Sequence, residues 1–418
     1  MKHLAVFAIV GKFLLFSMIN PVTAGVSGET EIRFQSDNDR YGETETTLEQ
    51  WTSIYYKDHG GDLRMAIQFA VEAGEQQTSE QLYQCFLRSG GGIQQPELTI
   101  GRFTLADNSG FNTLDGFSIQ QQLVPMAWKI YSGKPRHLDG YQDDTAELLL
   151  GFNTRYDVTE FATDDSFNKL TFNLGLEKVW SNTAGMILHA GISGERPDSD
   201  NMASLRDFQL AVDLNLEERS LRRAIVDTHF DFKQQGQARV GYHYFQPDED
   251  LDTFRDRYHG IYNDERQSIA KGVWYLPSTG ALETRFEVSG NRHEQGNGGL
   301  GMAVEFIYTT ADGTLLEVRS DYLETDDDWV ISNYLRHRQP LSSLTLLQTE
   351  AVYQTKETGL SGRNHLVGLS LSLTRRLLKQ LFLNLDGEWL DHSDREDEYR
   401  LAMSVRYDFY QTDTGELP

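Results

Sequence analysis

From Tyr399 to Phe409 the chain reads YRLAMSVRYDF. Tyr399, Leu401, Met403, Val405, Tyr407 and Phe409 share one face, and Arg400, Ala402, Ser404, Arg406 and Asp408 share the other. A strict period of two predicts a β-strand, not a helix. The same alternation recurs along the chain. Leu63, Met65, Ile67, Phe69 and Val71 form one such face, and Leu148, Leu150 and Phe152 another. Leu170, Phe172, Leu174 and Leu176 oppose Thr171, Asn173 and Glu177, while Phe208, Leu210, Val212, Leu214 and Leu216 oppose Gln209, Asp213, Asn215 and Glu217. In the last third, Val367, Leu369, Leu371 and Leu373 form one face, and Leu381, Leu383, Leu385 and Trp389 oppose Asn384, Asp386 and Glu388. Turn glycines such as His59-Gly60-Gly61-Asp62 join neighbouring runs as hairpins.

A soluble sandwich alternates in the same way. Two features favour a transmembrane barrel. Many runs reach the roughly 9–11 residues that cross a bilayer as a strand. Acids also sit on the polar face of strand after strand, where a dry core would carry an expensive unpaired charge and a hydrated lumen would not. The expectation is an all-β chain, a transmembrane antiparallel β-barrel of about 18–22 strands with short periplasmic turns and longer external loops. Polar stretches around 291–299, 355–363 and 391–398 read as such loops.

Composition agrees. Hydrophobic residues make up 39 % of the 418 residues, low for a globular core but enough to cover one face of each strand. Aromatics reach 11 %, as interface girdles require, and the 9 prolines are few, as ladders require. The net charge of −25 argues against nucleic acid as a partner. One cysteine, Cys85, excludes an intramolecular disulfide. Residues 1–24 read as a secretory signal peptide: Lys2 opens it, Phe13-Leu14-Leu15-Phe16 is its apolar part, and Val22-Thr23-Ala24 offers small residues for cleavage. The barrel is then expected over 25–409 and a polar tail over 410–418. The destination implied is the bacterial outer membrane, with outer-membrane lipid, lipopolysaccharide and the barrel-assembly machinery as partners.

Polar-face residues are the candidates for the pore lining: Glu147, Glu177, Asp213, Glu217, Asp386, Glu388, Arg400 and Arg406. The excess of acids predicts a mild cation preference. Searches for other chemistry yield little. His392-Ser393-Asp394 lies in an acidic stretch and lacks the context of a serine hydrolase. Asp326-Asp327-Asp328 reads as a solvated loop, and Asp248-Glu249-Asp250-Leu251-Asp252 has calcium-like spacing without fixed ligand geometry. No cofactor, metal or catalytic residue is assigned, and the chain is not expected to be an enzyme.

The run ELTIGRFTLADNSGFNTLDGFSIQQQL at 97–123 and the strand MAWKIYSGKP after it resemble the porin-like outer-membrane barrels of Gram-negative bacteria, nearest to the alginate-export and related porin-like families. The matching elements are Gly101-Arg102, Leu114-Asp115-Gly116 and Tyr131-Ser132-Gly133-Lys134-Pro135, although Phe103 stands where those families commonly have Gln. The resemblance implies that the loop Ala106 to Thr113 folds inward as a constriction, which makes Asp107, Asn108, Phe111, Asn112 and Asp115 constriction candidates and Arg102 a lumen residue. The plainer alternative is that Gly101 and Gly116 ease a bend while Arg102 pairs with Asp107 or Asp115. Passive diffusion of small hydrophilic solutes is the function expected. Export of an alginate-like polysaccharide and a barrel enzyme acting on lipid or peptide are the alternatives.

Overall fold

The computed structural model describes residues 26–38, 44–57, 63–74, 78–91, 95–107, 110–136, 148–158, 169–180, 184–196, 204–246, 266–278, 280–293, 298–325, 328–358, 362–393 and 397–410. The expected leader, Glu147, Asn108, the acidic run at 248–252, Asp326-Asp327 and residues 411–418 lie outside them.

Twenty-two strands follow one another: β1 (Val26–Asn38), β2 (Thr44–Lys57), β3 (Leu63–Ala73), β4 (Thr78–Ser89), β5 (Glu97–Asp107), β6 (Gly110–Leu123), β7 (Met126–Arg136), β8 (Leu148–Val158), β9 (Lys169–Trp180), β10 (Ala184–Glu195) and β11 (Ser204–Asn215). The second half continues with β12 (Ser220–Asp231), β13 (Gln237–Phe245), β14 (Gln267–Tyr275), β15 (Leu282–His293), β16 (Gly298–Thr309), β17 (Leu315–Thr325), β18 (Asp328–Ser342), β19 (Thr345–Thr358), β20 (Gly362–Leu378), β21 (Leu381–His392) and β22 (Glu398–Tyr410). Each pairs antiparallel with its neighbours in sequence, and β1 pairs with β22 from Ser27↔Tyr410 to Asp37↔Arg400. The ring is closed, so the sheet has no edge. The polar tail begins after Tyr410, one residue later than expected, because Tyr410 still pairs with Ser27.

Both ends of the strand ring, Val26 and Tyr410, lie at one rim of the barrel. The longest intervals between strands, 137–147 and 246–266, are at the other rim. The polar segments read as loops around 291–299, 355–363 and 391–398 are strand at their described ends, since β15, β19 and β21 run on to His293, Thr358 and His392. Polar residues there continue the ladder because backbone hydrogen bonding, not hydrophobicity, sets strand length above the lipid.

The outer face is apolar and exposed. Leu401, Met403 and Val405 of β22 lie beside Phe34 of β1, and Leu174 and Leu176 of β9 beside Phe152 of β8. These side chains have no protein partner to cover them, which is the signature of a lipid-facing belt. Parity assigns the opposite side of every strand to the lumen. Trp51 and Tyr55 point inward, because their rungs pair with Glu31 and Ser27 on the face opposite Phe34.

One row of the wall is built on glycine. Gly101, Gly116 and Gly133 are successive cross-strand partners on β5, β6 and β7. A Cβ at Gly116 would lie 2.0 Å from the Ser132 carbonyl oxygen, and one at Gly101 2.2 Å from that of Cys85. Gly101 also has φ +118°, a conformation side chains resist. The three backbones thus curl tightly together on the lumen side. Gly116→Ala is expected to destabilise the barrel by about 1–3 kcal/mol through overpacking. Gly272→Ala, where nothing lies within 4 Å, should shift stability by no more than about 0.5 kcal/mol. Reversible urea unfolding of both variants in lipid vesicles measures the difference.

Candidate functional site: the lumen wall

Where the glycine row begins, the wall forks. The β4–β5 ladder runs from Ser89↔Leu98 to Cys85↔Arg102 and goes no further, whereas the β5–β6 ladder continues to Asp107↔Gly110. Arg102 bridges the fork. Its Nε and Nη2 donate to the two carboxylate oxygens of Asp115 at 2.6 and 2.8 Å, and its Nη1 donates to the Leu82 carbonyl at 2.7 Å. Arg136 Nε donates to the same carboxylate at 2.7 Å.

This geometry corrects the site expected from the resemblance. Arg102 shares the outer face with Ile100, and Asp115 shares it with Phe117, so neither lines the pore. The described residues of 106–113 belong to the ladder and not to an inward loop. Ala106↔Phe111 and Leu105↔Asn112 are ladder rungs, and Asp107 pairs with Gly110. The Gly-Arg and Leu-Asp-Gly elements are the two halves of one bidentate ion pair beside a glycine contact, as the plainer alternative had it.

Inward, β5–β12 form a packed sector. Phe103, Leu105, Leu114, Tyr131, Leu149, Val179 and Ile187 make one buried apolar cluster. Side chains lie flat across glycines to reach it: a Cβ at Gly151 would fall 2.2 Å from Tyr131 Cζ. Beside the cluster runs a chain of buried polar groups. The Tyr131 hydroxyl donates to Glu177 Oε1 at 2.8 Å, and His189 has Nε2 3.4 Å from Glu177 and Nδ1 2.8 Å from Asp213. Arg223 Nε closes the chain on Asp213 Oδ2 at 2.7 Å. A bulge aims Arg223: between the rungs Asp213↔Arg223 and Leu214↔Leu221 the extra residue Arg222 inverts the facing of β12. A cavity of about 410 Å³ opens on this wall, with Gln120, Asn153, Arg155, His189, Asp213 and Arg223 in its lining.

The rest of the ring, β13–β22 and β1–β4, is hydrated and laddered with opposite charges. Lys271 meets Glu287 at 2.8 Å, Arg285 meets Glu305 at 3.1 Å, and Arg336 meets both Glu317 and Glu350 at 3.2 and 2.8 Å. Arg400 meets Glu388 at 2.5 Å, and Arg406 meets Asp408 at 3.1 Å while lying 4.8 Å over the Phe382 ring. Their basic members keep exposure, 48 % for Lys271 and Arg400 against 8 % for Arg223, while several of the acids beside them are more covered, 15 % for Glu287 and 7 % for Glu305.

Of the expected pore lining, Glu177 and Asp213 therefore face inward but are buried. Asp386, Glu388, Arg400 and Arg406 face inward and remain partly open, with Asp386 accepting from Ser372 Oγ at 2.6 Å. Glu217 is displaced: it sits in the turn at 216–219, paired with Lys178, because Asn215 caps the turn by accepting the Glu217 and Glu218 backbone N–H groups. The basic partners Arg285, Arg319 and Arg336 were passed over in the sequence, although each alternates with outward Phe286, Val318 and Leu335. Ser393 Oγ accepts the His365 backbone N–H at 2.9 Å, a structural bond. Among the described residues no group of His, Cys, Asp and Glu is arranged to hold a metal ion.

Asp213→Ala removes the buried carboxylate that His189 and Arg223 share and is expected to cost about 3–5 kcal/mol. Asp386→Ala, losing one partly exposed hydrogen bond, should cost only about 1 kcal/mol. Urea unfolding from vesicles separates the two.

No family model and no curated protein matches this sequence. Solved structures do match its shape. The siderophore receptor PirA from Pseudomonas aeruginosa superposes with a TM-score of 0.61 at 8 % identity, over 93 % of this chain and 81 % of that one. The translocation pore of the P pilus usher PapC superposes with a TM-score of 0.51 at 9 % identity, over 93 % of this chain and all (100 %) of that one. The chain has the fold of the multi-pass β-barrels of the outer membrane, porin-like in its closed antiparallel wall.

Proposed function

We propose that this barrel is a passive channel for small hydrophilic solutes, without chemical turnover. The observation that carries the reading is the division of the inner wall. One sector is packed shut, and the other, from β13 round through the β22–β1 closure to β4, presents partly exposed basic side chains to the lumen, each beside a carboxylate. A hydrated strip of this kind gives polar solutes a path that needs no conformational work, and its charges set which ions prefer it.

The ladders temper the expected selectivity. Nearly every lumen acid named above has a basic neighbour within ion-pair distance, as Glu305 has Arg285 and Glu388 has Arg400. Paired charges cancel at a distance, so the overall acidity translates into a mild cation preference only. A siderophore receptor and a pilus usher share the architecture, and neither supplies this chain with a substrate.

Reconstitution in a planar bilayer tests the reading. Ohmic conductance is expected, with a reversal potential in a salt gradient that favours cations. Glu317→Gln with Glu388→Gln should lower the cation-to-anion permeability ratio by roughly twofold. An electrically silent protein would refute the channel, and anion selectivity would refute the preference.

A further inference from the structure

Trp51 and Tyr83 stand on the hydrated side of the lumen and take no part in its charge ladders. Their rings stack with centroids 5.2 Å apart and planes 20° from parallel. Trp51 faces inward by the register of β2. Tyr83 does so through a bulge: Gln68 pairs with Gln84 and Phe69 with Leu82, so Tyr83 is the extra residue and joins Gln84 on the lumen side. Bulges of this kind re-aim side chains beside sites.

Both rings are held by their polar tips. The Trp51 indole N–H donates to Glu49 Oε2 at 3.2 Å, and the Tyr83 hydroxyl donates to Gln81 Oε1 at 2.7 Å. The wall residue between them is small: Ala70 is the rung partner of both Trp51 and Gln81. Ala66, likewise small and buried, pairs with Tyr55. Tyr55 is four residues from Trp51 on the same face, about 13 Å along the strand. Trp51 is 39 % exposed and Tyr55 44 %. On the outer wall such rings would meet lipid; here they meet water.

The geometry points to a binding track for neutral saccharide rings. The ring faces would take the C–H side of a sugar, and Glu49 would accept from its hydroxyls. The track is linear and open, which suits an extended chain of hydroxylated rings. A quaternary ammonium is recognised instead by a cage of aromatic groups gathered around the charge. Arg33 is also the cross-strand partner of Glu49, so the carboxylate already has a positive charge in register. The inference rests on the reading of this barrel as a channel and names a class of solute for it.

The test uses the full chain, folded in detergent and in planar bilayers, with maltohexaose and cellohexaose as probes. Calorimetry is expected to show millimolar binding of at least one probe, about tenfold weaker in Trp51→Ala or Tyr83→Ala and retained in Trp51→Phe. Circular dichroism checks that each variant is a folded barrel, and Tyr55→Ala serves if Trp51→Ala is not. In bilayers the same probe should interrupt the current of the native protein at the concentrations that bind. A conducting protein that binds neither sugar would overturn the track and leave the channel standing. A silent protein whose sugar binding depends on Trp51 would do the reverse. Unchanged affinity in Trp51→Ala, or stronger binding of arginine than of either sugar, would also overturn it.

Discussion

In a hydrocarbon layer no water is present to take a backbone hydrogen bond, so each N–H and C=O must find its partner within the protein. For a chain of strands this is met by closing the sheet on itself, and the rungs between β1 and β22 do so. Departures from the ladder are managed locally. Where β4 and β5 part, Arg102 takes the Leu82 carbonyl, and Gln84 Nε2 reaches Thr104 Oγ1 at 3.4 Å. Prolines, which cannot donate, sit at a hairpin turn (Pro125), near a strand end (Pro135) or beside a bulge (Pro340).

Closure leaves open what fills the cylinder, and here the two sides of the lumen differ. On the packed side, the Tyr131 ring lies across Gly151, and the buried charges are matched: Glu177 with Tyr131 and His189, Asp213 with His189 and Arg223. Burial of charge without such partners would be prohibitive. On the hydrated side, pairs such as Arg336 with Glu350 need no such completeness, because water shares the load. The aromatic rings of Trp51, Tyr55 and Tyr83, and those of Tyr334 and Phe382 beneath arginines, interrupt its polarity.

Much of this was legible in the chain. The faces read for β3, β8, β9, β11 and β22 are those observed, because each alternates cleanly and lipid selects one side. Arg102 went astray although the signal was present: Leu98 and Ile100 precede it on the same parity, which places it outward. The family resemblance implied the lumen instead. The facing of Trp51 was not legible, since its neighbours Gln50 and Thr52 carry no strong preference and only its rung decides it. Glu217 followed a regular pattern two residues past the end of its strand.

The alternation of side chains is a local property of an extended backbone, and so the amino-acid sequence by itself determined the class of fold, the strands and most of the lipid-facing surface. Pairing across the lumen is not local. The meeting of Tyr131, Glu177, His189, Asp213 and Arg223 depends on five strands being brought side by side in one register, with a bulge at Arg222 inverting one of them. Only the tertiary structure could decide which inward residues are sealed and which are wet, because a period of two tells a side chain which way to point and nothing about what it will find there.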